Sequence, residues 1–264
     1  MMFAPKRVLA VAAVAVIAPL TACGSPSTST PGLSMSIAPA PAAGTILTAA
    51  QVKDIVKAAG ANLTSVHETI KIATRAADIT GEGDMTRANG TIAIQMTMTV
   101  PQLGEMQARL VGQAFYIKMN LPQLGGKWIK IDLTDKNSPL GQMLGSVTAM
   151  SPSQMFDQYS GGLIGGTFLG TDTIGDHYVI NVDTASAAKH LPAGMATNSL
   201  IQKGMKALPK SIKLNVWVKG GLLQQTVVDM GPAGTVTVTL SDFGKTVDVV
   251  APPTAEVTSI PGLG

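Results

Sequence analysis

The clearest pattern in the chain is TIAIQMTMTV, residues 91–100. Ile92, Ile94, Met96, Met98 and Val100 share one parity; Thr91, Gln95, Thr97 and Thr99 take the other. A period of two is that of a β-strand with one face against an apolar environment. The same alternation recurs in Val66, Ile70 and Ile72, in Val111, Phe115, Ile117 and Met119, and in Ile129, Ile131 and Leu133 of KWIKIDL. It returns in Tyr178, Ile180 and Val182, in Ile212, Leu214, Val216 and Val218, and in Val236, Val238 and Leu240. Gly81-Glu82-Gly83-Asp84, Asn89-Gly90, Pro122 and Gly125-Gly126 read as turns between these segments. Short strands joined by turns predict an antiparallel meander, with roughly ten strands in all.

Helical signals are fewer. Thr48 and Gln51 form a T-x-x-Q capping box, with Leu47 and Val52 spaced for a hydrophobic staple. Val52, Ile55, Val56 and Ala59 follow at i, i+3, i+4 and i+7, and Gly60 is a stop signal, so 48–59 is predicted as a surface helix. SPLGQMLGSV and SPSQMFDQYSGGL, within 138–163, each open with Ser-Pro, which predicts two short helices. GGLIGG at 161–166 reads either as a plain connection or as a mobile lip. Residues 184–207 read as helical, broken near Leu191-Pro192.

These elements predict one α+β domain over 46–258, with a short tail at 259–264. Its curled antiparallel sheet of about ten strands has its apolar face covered by several helices. Alternation alone leaves two outcomes for the gap between sheet and helices: a filled core or a cavity.

The N-terminal stretch changes the picture of where the chain works. Lys6 and Arg7 precede an apolar run from Val8 to Leu20, then Thr21 and Ala22. That order predicts a secretory signal peptide over 1–22. The run is shorter than the roughly 20 residues of a membrane-spanning helix, the bland alternative. Leu20-Thr21-Ala22-Cys23 resembles a bacterial lipobox. The resemblance implies that Cys23 is acylated, as in palmitate-bearing lipoproteins, and holds the protein on the outer face of the cell membrane. The alternative for a lone cysteine is a free thiol or an intermolecular disulfide. Residues 24–45, rich in Ser, Thr, Pro, Gly and Ala, read as a flexible tether.

Of 19 Lys and Arg, Lys6 and Arg7 leave with the signal, so 17 face 16 Asp and Glu. With that balance and 4% aromatic residues, nucleic-acid binding has no support. The chain holds 14 methionines, and only Met1 and Met2 lie in the leader. Met is unbranched and adapts to partners of variable shape.

Catalytic signatures are fragmentary. Ser186-Ala-Ala-Lys189 matches S-x-x-K, but S-D-N and K-T-G are missing. Asp242-Phe243-Gly244 lacks every other kinase element and reads as a strand end turning at Gly244. His67, His177 and His190 are far apart, and the first two take solvent-facing parity. No zinc spacing, dinucleotide fingerprint or nucleophile–base pair is present, so neither a cofactor nor an enzyme is expected.

The segments LPKSIKLNVWVKGGLLQQTVVDM, TVTVTLSDFGKTVDVVAPP and KWIKIDL are similar to those of the mycobacterial LppX/LprG lipoprotein family. The likeness runs from about Leu47 to Val257. It implies a half-barrel sheet facing helices, of the LolA type. It also implies a monomer that holds acylated lipids or glycolipids in a cavity, without catalysis, and works with an envelope transport protein. The lining this implies is the apolar parity itself: Val66, Ile70, Ile72, Ile92, Ile94, Met96, Met98, Val111, Phe115, Ile117, Met119, Ile129, Ile131, Tyr178, Ile180, Val182, Leu214, Val216, Val236 and Val238. Two rival readings stay open: a scaffolding lipoprotein with a filled core that binds a protein, and a hydrolase whose site assembles from distant residues.

Overall fold

The computed structural model describes residues 41–60, 63–75, 77–88, 91–101, 103–120, 124–135, 160–191, 196 and 199–258. The signal peptide, Cys23, most of the tether, the two helices predicted before residue 160 and the C-terminal tail lie outside the described residues.

Among the described residues thirteen strands form a single open sheet. In chain order they are β1 (Ile46–Thr48), β2 (Ser65–Ala73), β3 (Asp78–Ala88), β4 (Thr91–Val100), β5 (Gly104–Val111), β6 (Ala114–Met119) and β7 (Trp128–Asp132), then β8 (Leu163–Thr171), β9 (Asp176–Asp183), β10 (Ser211–Lys219), β11 (Leu222–Asp229), β12 (Thr235–Ser241) and β13 (Val257–Thr258). Their spatial order is β1-β8-β9-β10-β11-β12-β2-β3-β4-β5-β6-β7-β13. Every neighbouring pair is antiparallel except β7 and β13, which run parallel.

Two segments read from the sequence as a turn and a connection are strand. Gly81-Glu82-Gly83-Asp84 is not a turn: it lies in the middle of β3, and the β2–β3 turn falls at Thr74–Ala77, where the Thr74 hydroxyl donates to the Ala77 carbonyl at 2.8 Å. A Cβ at Gly83 would run into the carbonyl oxygen of Gln95 and the backbone of Met96. Glycine is needed there for a close approach of β3 to β4, not for a turn. GGLIGG is likewise neither a connection nor a lip. Leu163–Gly166 already belong to β8, and a Cβ on Gly166 would press on Val52 at 3.1 Å.

Among the described residues the α-helices are α1 (Ala49–Gly60), α2 (Thr184–Lys189) and α3 (Ser199–Ala207). The capping box forms as expected: the Thr48 amide donates to Gln51 Oε1 at 2.9 Å and the Gln51 amide to Thr48 Oγ1 at 3.3 Å. The staple residues Leu47 and Val52 are both buried. Helix α1 carries the chain from edge strand β1 to β2 in mid-sheet, packing on β8 and β11 across the apolar face. The 184–207 prediction thus resolves into α2, capped by the Asp183 carboxylate on the Ser186 amide at 2.6 Å, and α3.

After β12 the chain turns at Gly244 and crosses to the other end of the sheet. The Gly244 amide donates to the Ser65 carbonyl and the Ser65 hydroxyl to the Lys245 carbonyl. Farther on, Arg109 Nη1 donates to the Val250 carbonyl at 3.1 Å, and β13 then pairs with β7. Ser65 and Arg109 both point to the polar face, so residues 245–250 form a strap over that face before β13 joins the sheet edge.

Candidate functional site

Strand registers assemble the apolar face into rows. One runs Val66, Met85, Ile94, Leu110, Phe115, Ile131 across β2 to β7. A second runs Ile70, Gly81, Met98, Met106, Met119. Between them runs Glu68, Gly83, Met96, Ala108, Ile117, Ile129. On the other side of β2, Ile180, Leu214, Val228, Val236 and Ile72 continue the same face.

The two halves of this face are packed differently. From β8 through β12 to β2, Phe168, Tyr178, Ile180, Val182, Val216, Val236, Val238, Ile70 and Ile72 are buried in one cluster with α1. From β4 to β6, Ile92, Ile94, Met96, Met98, Met106, Phe115, Ile117 and Met119 are only half-buried. A second, smaller cluster of Leu110, Ile129, Ile131 and Leu133 forms at that end of the same face, with Ile94, Phe115, Ile117 and Met119 packed against it. The residues expected to line a cavity therefore do share one face, with one exception. Val111 pairs with Ala114 across the Gly112-Gln113 turn, so it takes the parity of Arg109 and points to the polar face; Leu110 occupies the apolar position instead. The tight turn resets the phase between β5 and β6, which a continuous count from Val111 to Phe115 overlooks.

Glu68 is the residue that the sequence reading missed. It shares its parity with Val66 and Ile70, and that was the available signal. It faces Leu240 on β12 and Gly83 on β3, is 4% exposed, and its Oε1 meets no hydrogen-bond partner. Burial pushes its pKa up from 4.5 to about 7, against a smaller downward pull from the charge of His67.

The polar face carries a separate cluster. His67 Nδ1 lies 2.8 Å from Asp84 Oδ1, and Gln95 Nε2 donates to Asp84 Oδ2 at 2.9 Å. Desolvation raises the Asp84 pKa, but the bonds from Gln95 and His67 and the charge of His67 outweigh it, and the net shift is downward. Two shallow, polar pockets of about 300 Å³ each flank this cluster, one beneath the strap beside Lys245 and Asp248, the other toward Arg109 and Trp128. Ser65, a hydroxyl two residues from His67 on this face of β2, is buried and spends its proton on the strap. Among the described residues no group of three His, Cys, Asp or Glu could hold a metal ion. His177, on β9, four strands from β2 in the sheet order, is stacked on Trp217 at 4.1 Å, and His190 bonds the Ser186 carbonyl.

Trp128 takes polar-face parity yet is 3% exposed, with the Arg109 guanidinium 4.8 Å and the Lys118 ammonium 5.8 Å from its ring. These cations lie over its ring and β13 pairs with β7 beside it, and no local pattern forecasts that burial.

No family model matches the chain, and no curated protein matches it. Among solved structures, the chain is similar to the Mycobacterium tuberculosis lipoprotein LppX, at 18% sequence identity and a TM-score of 0.49. The match covers 76% of this chain and 97% of that one, and the likeness is one of fold.

Proposed function

We propose that this chain is a lipid-binding lipoprotein of the cell envelope, which takes up acylated lipids or glycolipids on its apolar sheet face and carries or presents them. The observation that carries this reading is the half-buried run of Ile92, Ile94, Met96, Met98, Phe115, Ile117 and Met119 beside a well-packed core half. An acyl chain left in water costs about 0.8 kcal/mol per methylene, so a chain of some fifteen methylenes costs on the order of 12 kcal/mol. Flexible methionine side chains offset that cost without demanding a fixed ligand shape.

Anchoring through Cys23 belongs to the same reading. No charged residue stands between Arg7 and Lys53, and none in residues 160–171, so strands β1 and β8 at one sheet edge are uncharged. Ile46 and Leu169 are exposed there, where the tether enters the domain. Charges usually guard an exposed sheet edge; their absence suits an edge held close to a bilayer.

The test is organic extraction and mass spectrometry of the full-length Cys23→Ser chain, which carries no acyl group of its own. Near-stoichiometric lipid is the expected result. No co-purified lipid, together with no binding of any envelope glycolipid offered, would overturn the reading.

A further inference from the structure

Glu68 has no task in the packing described above. An unpartnered carboxyl on an apolar face is unfavourable, and Leu or Gln would fill the same space at lower cost. Its placement is specific. Across β3 it faces Gly83, which has no side chain, and the next residue in the row is the half-buried Met96. In the next row Gly81 leaves the same gap between Ile70 and Met98. Glu68 thus stands at the border between the packed half of the face and its half-covered half, with only glycine between it and the methionines.

We propose that Glu68 is the polar anchor of the lipid-binding face, its protonated carboxyl donating a hydrogen bond to an ester carbonyl oxygen of an acylated lipid. The inference rests on the lipid-binding reading. An ester carbonyl is the acceptor that an acyl lipid brings deepest into an apolar site, and a buried donor without a partner is its complement. Arg87 is the other charged residue on this face of β2, β3, β4 and β12; it lies two register steps along β3, opposite Ile92. His67 and Asp84 belong to the opposite face of the sheet. Deprotonation of Glu68 removes the donor and leaves a charge facing the ester, so ester lipids bind more tightly at pH 5.5 than at pH 8.

The experiment is displacement of an apolar fluorescent dye from the full-length Cys23→Ser chain by dioleoylglycerol and by its dialkyl-ether analogue, which lacks the carbonyls. The unsubstituted site is expected to prefer the ester by about tenfold at pH 5.5 and to lose most of that preference at pH 8. Glu68→Gln, which keeps an N–H donor but cannot ionise, retains the preference at both pH values. Glu68→Leu binds the two lipids equally. An undiminished ester preference in Glu68→Leu overturns the anchor while leaving lipid binding intact. Displacement by neither lipid in the unsubstituted site overturns the lipid-binding reading, and the anchor with it.

Discussion

Replacing Glu68 by Gln isolates the energetic consequence of burying a carboxyl on the apolar face. The folded chain raises this pKa from 4.5 to about 7. Between those values the folded state holds a proton that the unfolded state has released. Stability therefore falls as pH rises through the window from about 4.5 to 7, and the whole cost is present above it. At about 1.4 kcal/mol per pH unit, that gap is worth about 3 kcal/mol. Gln cannot ionise, so Glu68→Gln should match the unsubstituted chain near pH 4 and exceed it by up to about 3 kcal/mol at pH 8. Urea unfolding followed by tryptophan fluorescence reads this directly, because Trp128 and Trp217 both lie on the polar face, away from the substitution. With a slope of about 3 kcal/mol per molar urea, the midpoint difference grows by about 1 M between the two pH values. Parallel stability profiles for the two proteins from pH 4 to pH 8 would refute the placement of Glu68 among apolar side chains.

Further expectations test the sheet and the strap. Gly83→Ala should cost about 2–3 kcal/mol in urea unfolding, because its Cβ would overlap the β4 backbone; Gly81→Ala, whose nearest obstacles are the flexible Met98 Cγ at 3.1 Å and the Thr97 carbonyl oxygen at 3.2 Å, should cost about 1, and equal costs would contradict the closer approach at Gly83. Trp128→Ala should destabilise by about 3–5 kcal/mol, as expected for a buried tryptophan; a loss below about 1 would contradict that burial. Thr48→Ala removes half of the capping box and should cost about 1 kcal/mol, with Thr48→Ser restoring most of it. Asp84 has a depressed pKa, so it contributes stability above the usual carboxylate range and loses it as pH falls through its lower folded value. Asp84→Asn should therefore flatten the acid limb of the stability profile below pH 4, and an unchanged limb would place the loss elsewhere.

Much of the fold was legible because alternation is a local property. A strand whose neighbours bury one face must repeat every two residues, so Ile92 to Val100 and Ile212 to Val218 could be assigned to one face without any partner in view. The capping box at Thr48 and the stop at Gly244 are equally local, being set by hydrogen bonds and φ angles within a few residues. What the chain could not express locally was decided by partners distant in sequence. Gly81 and Gly83 carry a turn signal but lie in β3 because β4 presses against them, and Leu163–Gly166 are strand because β1 and α1 pack there. Val111 took the wrong face because a tight turn resets the phase. Trp128 is buried against its parity, with Arg109 and Lys118 from neighbouring strands over its ring, and Glu68 is perturbed by an apolar face built from several strands. Alternation decides which side of a strand is greasy; only the assembled sheet decides what, if anything, comes to lie against it.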